Sequence, residues 1–145
     1  MVMERTVEIL LVEDNPGDVR LTKEALVELK VPHSLHVVTD GEAALEFLFR
    51  RGRYAKAIRP DLILLDLNLP RRNGREVLEQ IKQDPDLKLI PVLVLTTSGS
   101  PLDIRAAYSL HANSYIVKPR DLDKFWEVAS AIEEFWIRTA TLPVI

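Results

Sequence analysis

PDLILLDLNLP, residues 60–70, contains the run Leu62-Ile63-Leu64-Leu65, apolar without alternation and closed by Asp66. A strand with one wet face alternates apolar and polar residues. An unbroken apolar run marks a strand covered on both faces, as in a parallel sheet. In open parallel sheets, ligands bind outside the carboxyl ends of the strands, so Asp66 stands where such a fold does its chemistry. Taken alone, Asp66 is equally well a strand end entering a turn, with Asn68 and Pro70 as ordinary turn residues.

Working outward, Val7 to Val12 (VEILLV), Ser34 to Val38 (SLHVV), Pro91 to Leu95 (PVLVL) and Ser114 to Val117 (SYIV) are four further apolar or branched runs that read as strands. Helical spacing separates them. Val19 to Lys30 places Val19, Leu21, Ala25, Leu26 and Leu29 at helical intervals, with Asp18 suited to the N-cap. Asp40-Gly41 leads into a helix with Ala43, Ala44, Phe47 and Leu48 on one face, and Glu76 to Gln83, Pro101 to His111 and Asp121 to Arg138 read as three more. The basic connector Arg50 to Arg59 reads as a solvated loop. Strand and helix alternating five times predicts an α/β domain, a parallel sheet with helices on both faces.

The chain has 145 residues and suits one domain, expected to span 1–145 with a core of about 7–138 and an apolar tail at 139–145. A net charge of -3 with no basic stripe gives no reason to expect a nucleic-acid partner. The absence of cysteine excludes thiol catalysis and thiolate metal sites. The start, MVMERTVEILLVEDN, is neither a signal peptide nor a membrane span, so a cytoplasmic protein without membrane contact is expected.

The polar residues at the strand ends form the informative set. Glu13 and Asp14 follow the first strand, Asp66 the third, Thr96 the fourth and Lys118 the fifth, all on one edge of a parallel sheet. Each alone has an ordinary reading as a cap, turn or loop residue; it is their joint appearance at four strand ends that points to a site. Gathered carboxylates raise one another's pKa, and a hard divalent cation relieves the repulsion. Oxygen ligands with open positions suit Mg²⁺. A carboxylate nucleophile, a cation and a hydroxyl also suit phosphoryl transfer.

Over roughly Val7 to Phe135 the chain resembles the receiver domains of two-component response regulators, through LLVEDN at 10–15, LLDLNLP at 64–70, VLTTS at 94–98 and YIVKP at 115–119. The resemblance implies a flavodoxin-like (βα)5 fold with strand order 2-1-3-4-5. It implies Asp66 as the phosphorylated residue and Mg²⁺ held by Glu13, Asp14, Asp66 and the backbone carbonyl of Asn68. Thr96 and Lys118 would contact the phosphoryl group, Thr96 and Tyr115 would act as switch residues, and the bond before Pro119 would be cis. A finer resemblance, carried by VEDNPGDVRL, RRGRYA, RPDLILLDLNLP and EEFW…TLP, is to the stand-alone regulators of cyanobacterial and bacterial phytochromes. It implies a phytochrome-type histidine kinase as phosphodonor. Three positions depart from the family pattern: Glu13 where aspartate is common, His111-Ala-Asn-Ser114 before Tyr115, and Thr97 where a small residue is common. Asn113 is expected to take the left-handed conformation that this turn needs, and the bulk of Thr97 to slow attack of water on the phosphoaspartate.

Of the nine aromatic residues, Phe125, Trp126, Phe135 and Trp136 lie in the last predicted helix. Neighbours such as Phe125 and Trp126 are about 100° apart around an ideal helix, so one face cannot easily hide both. These residues are candidates for a homodimer surface. With no output domain expected after residue 145, the output would be a contact of the receiver itself, with a downstream partner that the sequence does not name. An enzyme is not expected: dehalogenase-type phosphatases carry a second acid where this chain has Asn68, and an amide cannot relay that proton. The alternative is a phosphorylation-independent dimeric interaction module on the same fold.

Overall fold

The computed structural model describes residues 6–28 and 31–143. Leu29 and Lys30, expected at the end of the first helix, and the last two residues of the tail lie outside them. Strands β1 (Val7–Val12), β2 (His33–Val38), β3 (Leu62–Leu65), β4 (Val92–Thr96) and β5 (Ser114–Val117) alternate with helices α1 (Pro16–Val27), α2 (Gly41–Leu48), α3 (Gly74–Gln83), α4 (Pro101–Ser109) and α5 (Leu122–Ile132). The sheet is parallel throughout, in the order β2-β1-β3-β4-β5.

Alternation along each strand divides the core between the two faces of the sheet. Leu10, Val12, Ile63, Leu65, Val92 and Val94 pack on one side with residues of α2, α3 and α4, including Phe47, Leu78 and Ala107. Ile9, Leu11, Leu62, Leu64, Leu93 and Leu95 pack on the other with residues of α1 and α5. β3 lies between β1 and β4 and is covered on both faces, which is why all four of its residues are apolar and at most 1% exposed. Burial of each such side chain contributes about 1.5–3 kcal/mol. The register pairs Val12 with Val38 and Leu65, Leu65 with Val94, and Thr96 with Val117, so the carboxyl ends of the strands finish along one edge.

Helix starts follow short polar side chains. Asn15, Asp40, Asn73 and Asp121 each accept a hydrogen bond from a backbone N–H in the first turn that follows. The first helix therefore begins earlier than its apolar spacing suggests: Asn15, not Asp18, is the N-cap, with Pro16 in the first turn where its missing N–H costs nothing. The last helix also differs from expectation. It is α-helical only to Ile132 and continues as a wider π-helical segment, Glu133–Thr139, closed by Ala140 N–H donating to the Phe135 carbonyl at 2.6 Å.

The turn before β5 keeps a left-handed residue, but it is His111 (φ 70°), not Asn113. His111 follows the C-cap Leu110, the position at which helices commonly end in that conformation. Asn113 is occupied otherwise: its side-chain oxygen accepts from Val92 N–H at 2.8 Å and from Lys82 Nζ at 3.0 Å. Asn113→Ala leaves both donors without this acceptor and is expected to cost about 2 kcal/mol, read as a lower urea midpoint at unchanged slope.

Candidate functional site

The strand ends deliver their polar residues to one place. Glu13 and Asp66 are buried while Asp14 is exposed, and one carboxylate oxygen from each lies within 4.8 Å of the others. Lys118, 7% exposed, enters from the end of β5. Its ammonium donates to Asp66 Oδ2 at 2.9 Å, to Asp18 Oδ2 at 2.9 Å and to Glu13 Oε1. Asp66 Oδ1 accepts from Asn68 N–H at 3.0 Å, and Glu13 Oε2 accepts from Asn15 N–H at 3.2 Å. Thr96 is fully buried at the end of β4, and its hydroxyl has no hydrogen-bond partner among the described residues. A buried hydroxyl left so is uncommon unless something else is meant to reach it.

The electrostatics separate the carboxylates. Burial pushes Glu13 up to about 7, helped by the charge on Asp66 and opposed by the hydrogen bond from Lys118. Burial acts on Asp66 in the same direction, but the hydrogen bonds from Lys118 and from Asn68 N–H outweigh it and hold the group below the usual carboxylate range. Burial would lower Lys118, yet Asp66, Glu13 and Asp18 hold it above the ordinary lysine value. Asp66 is therefore an ionised, desolvated carboxylate at neutral pH, fit to act as a nucleophile. One ammonium stands against the three carboxylates of Glu13, Asp18 and Asp66. Glu13, Asp14 and Asp66 form a hard oxygen set that fits a divalent cation.

Two residues of this site were not singled out in the sequence. Asp18 was assigned to capping, but Asn15 takes that role and frees the Asp18 carboxylate for Lys118. The signal was present in Asn15-Pro16, a cap followed by a proline suited to the first turn. Gly74 opens α3 directly against the loop that follows β3: a Cβ there would lie 2.3 Å from the Asp66 carbonyl oxygen and 2.5 Å from Leu67 Cα. No other residue fits so close an approach.

Other expectations fall differently. The bond before Pro119 is trans; there is no cis peptide among the described residues. Trans is the favoured isomer by about 0.5–1 kcal/mol, and with it Lys118 N–H still donates to the Thr96 carbonyl at 2.7 Å while its ammonium reaches the carboxylates. Tyr115 lies half-buried against the core, its hydroxyl donating to the Ser98 carbonyl at 2.8 Å. Thr97 is exposed and lines a cleft of about 470 Å³ with Asp18, Val117, Lys118 and Pro119. Phe125, a candidate for a dimer surface, is 3% exposed and packs with Ala25, Leu95 and Ala129, so it belongs to the core instead. Trp126 and Trp136 are half-buried, and Phe135 is 53% exposed. No helix among the described residues is long and apolar enough to cross a membrane.

Comparison with known proteins gives consistent matches. The family model for the response regulator receiver domain matches residues 9–130. Response regulator Rcp1 of Synechocystis sp. is 52% identical over 135 residues, 93% of this chain and 92% of that protein. The crystal structure of the Mn²⁺-bound form of Rcp1 matches with a TM-score of 0.91 at 51% identity, covering 95% of this chain and 99% of that one. The phosphorylated cyanobacterial phytochrome response regulator RcpA matches with a TM-score of 0.93 at 53% identity, covering 97% of this chain and 100% of that one.

A cation binding at Glu13 must displace the proton that burial retains there, so divalent affinity is expected to rise with pH through about 7 and then level off. Calorimetric titration with Mg²⁺ is expected to show about tenfold tighter binding at about pH 8 than at about pH 6. Glu13→Gln should flatten the profile at weaker affinity, and a flat wild-type profile would remove Glu13 from the ligand set.

Proposed function

The chain belongs to the response regulator receiver-domain family, and on that premise we propose that it is a single-domain regulator phosphorylated on Asp66 by a phytochrome-type histidine kinase. The observation that carries this reading is the buried Lys118 on Asp66 Oδ2, beside the unpartnered hydroxyl of Thr96. In the reaction an Asp66 carboxylate oxygen attacks the phosphorus of a phosphohistidine. The phosphorus–nitrogen bond breaks, an acyl phosphate forms, and the departing imidazole takes up a proton. Mg²⁺, held by Glu13, Asp14, Asp66 and the Asn68 carbonyl, would supply charge neutralisation for the transferred group. Lys118 balances the negative charge on the carboxylate and then on the phosphoryl oxygens. Thr96 donates its hydroxyl to one of those oxygens, and Thr97, exposed at the rim, obstructs approaching water.

The phytochrome assignment is supported by the likeness to Rcp1 and RcpA over nearly the full length of each. The regulator would act in the cytoplasm, where such kinases present their phosphohistidine. As a receiver, the chain is a regulator rather than an enzyme, and its signal would pass through contacts of its surface. That surface would include a homodimer contact through Trp126, Phe135 and Trp136. Phe135, stacked edge-on to Trp136 at 5.2 Å between ring centroids, leaves more than half of its surface to solvent. The same exposed aromatic favours the second reading, a dimeric module that works without phosphorylation.

One measurement separates these readings, and a second tests the dimer contact common to both. Incubated with an autophosphorylated phytochrome-type kinase and Mg²⁺, the wild-type chain should take up label, and Asp66→Asn should take up none. Equal labelling of the two would move the acceptor away from Asp66, and no labelling of either by that kinase or by a small phosphodonor would favour the second reading. Phe135→Ala should weaken self-association by about 2 kcal/mol, roughly thirtyfold in the dimer constant, seen as a shift to monomer in sedimentation at matched concentrations.

A further inference from the structure

A polar chain outside the metal and phosphoryl groups joins the acceptor loop to Tyr115. Arg75 follows Gly74, the residue packed on the Asp66 carbonyl. Its guanidinium donates to Asp103 Oδ1 in the first turn of α4. The other carboxylate oxygen of Asp103 accepts from the Ser98 hydroxyl. Ser98 in turn offers its backbone carbonyl to the Tyr115 hydroxyl at 2.8 Å and its Oγ to Ser100 N–H at 3.2 Å. The N-cap of α4, Ser100, makes no side-chain cap bond, so Asp103 is what ties the segment between β4 and α4 to the helix. Leu67, Asn68, Asn73, Arg75 and Asp103 line a cleft of about 200 Å³ that separates this chain of contacts from the acceptor loop.

We infer that Arg75 and Asp103 are positioning residues that hold Ser98, and through it Tyr115, in the inward arrangement before any phosphoryl group arrives. Arg75 and Asp103 are 48% and 28% exposed in their side chains. An ion pair so placed contributes little to global stability, so its effect falls on where the loop sits. Asp103 binds two partners at once, and both of its oxygens are charge-assisted acceptors. The consequence for signalling rests on the assignment of Asp66 as acceptor and Tyr115 as switch. If Tyr115 inward favours the phosphorylated arrangement, a latch that holds it there raises affinity for a phosphoryl group by the same factor, because coupling between two sites is reciprocal.

The test uses the full chain labelled with meta-fluorotyrosine, which gives one fluorine signal for each of the three tyrosines. Tyr115 is assigned by Tyr115→Phe. Without any phosphoryl analogue, Asp103→Ala and Arg75→Ala are expected to increase broadening of the Tyr115 signal by a soluble nitroxide about twofold or more, within the range of a modest population shift. The Tyr54 and Tyr108 signals should stay as they are, and Arg75→Lys should restore most of the shielding. An unchanged Tyr115 signal in a folded Asp103→Ala variant overturns the proposal. In a second arm, beryllofluoride with Mg²⁺ should bind Asp103→Ala about fivefold more weakly than wild type; equal affinity overturns the coupling to Asp66. A wild-type chain that binds no beryllofluoride would instead refute the acceptor assignment, while the first arm would still decide the latch.

Discussion

The ammonium of Lys118 is the contact on which the site depends. It joins the ends of β1, β3 and β5 and the first turn of α1 through Glu13, Asp66 and Asp18, partners as far as 105 residues away in sequence. Buried ion pairs seldom stabilise a fold more than well-packed apolar groups of the same size would. Their value here is chemical. Hydrogen bonds from the same cation and from Asn68 N–H hold Asp66 low while burial pushes Glu13 up, so two neighbouring carboxylates are shifted in opposite directions. Asp66 is kept free of its proton, and Glu13, Asp14 and Asp66 together present an oxygen set that fits a divalent cation.

That arrangement rests on a rigid ladder with a looser margin. β3 is shut in on both faces, and Asp66 N–H donates to the Val12 carbonyl at 3.0 Å, so Asp66 is anchored to the most buried part of the sheet. Thr96 is likewise buried, but the segment beyond it is half-open and held by side chains of Ser98, Asp103 and Tyr115 rather than by the sheet. Under the proposed function, chemistry would fall on the fixed part and readout on the looser one, a division expected when a local charge change must bias a two-state element.

How much of this was legible in the sequence varies with the range of the forces involved. β3 and β5 match their apolar runs end to end, because two-sided burial leaves no room for a polar residue within β3 and turn residues bound both strands. Glu13, Asp14, Asp66, Thr96 and Lys118 were readable as strand ends because a parallel sheet sends all its carboxyl termini to one edge. The strand order came from family resemblance, since alternation alone does not fix which strands are neighbours. Asp18 and Gly74 escaped because their roles depend on contacts across the fold: a lysine 100 residues away for one, a carbonyl in the preceding loop for the other. Asn113 and His111 were exchanged because a side chain that can relax the backbone can also be used as an acceptor, and only the neighbouring strand decides between them.

The π-helical segment at Glu133–Thr139 has a consequence for how this chain tolerates changes in length. A π turn is an α-helix that has absorbed surplus chain without unravelling. Deleting one residue there would let the helix relax to the commoner geometry with the side chains beyond it close to their present direction, whereas a deletion in the α-helical part would turn everything beyond it by about 100° around the axis. A deletion in the α-helical part would therefore move Trp136 and Ile137, now packed on the core, toward the side that faces water. The wider turns thus act as slack: this end of the chain can shorten by one residue and keep its surface, with the strand edge that carries Asp66 untouched.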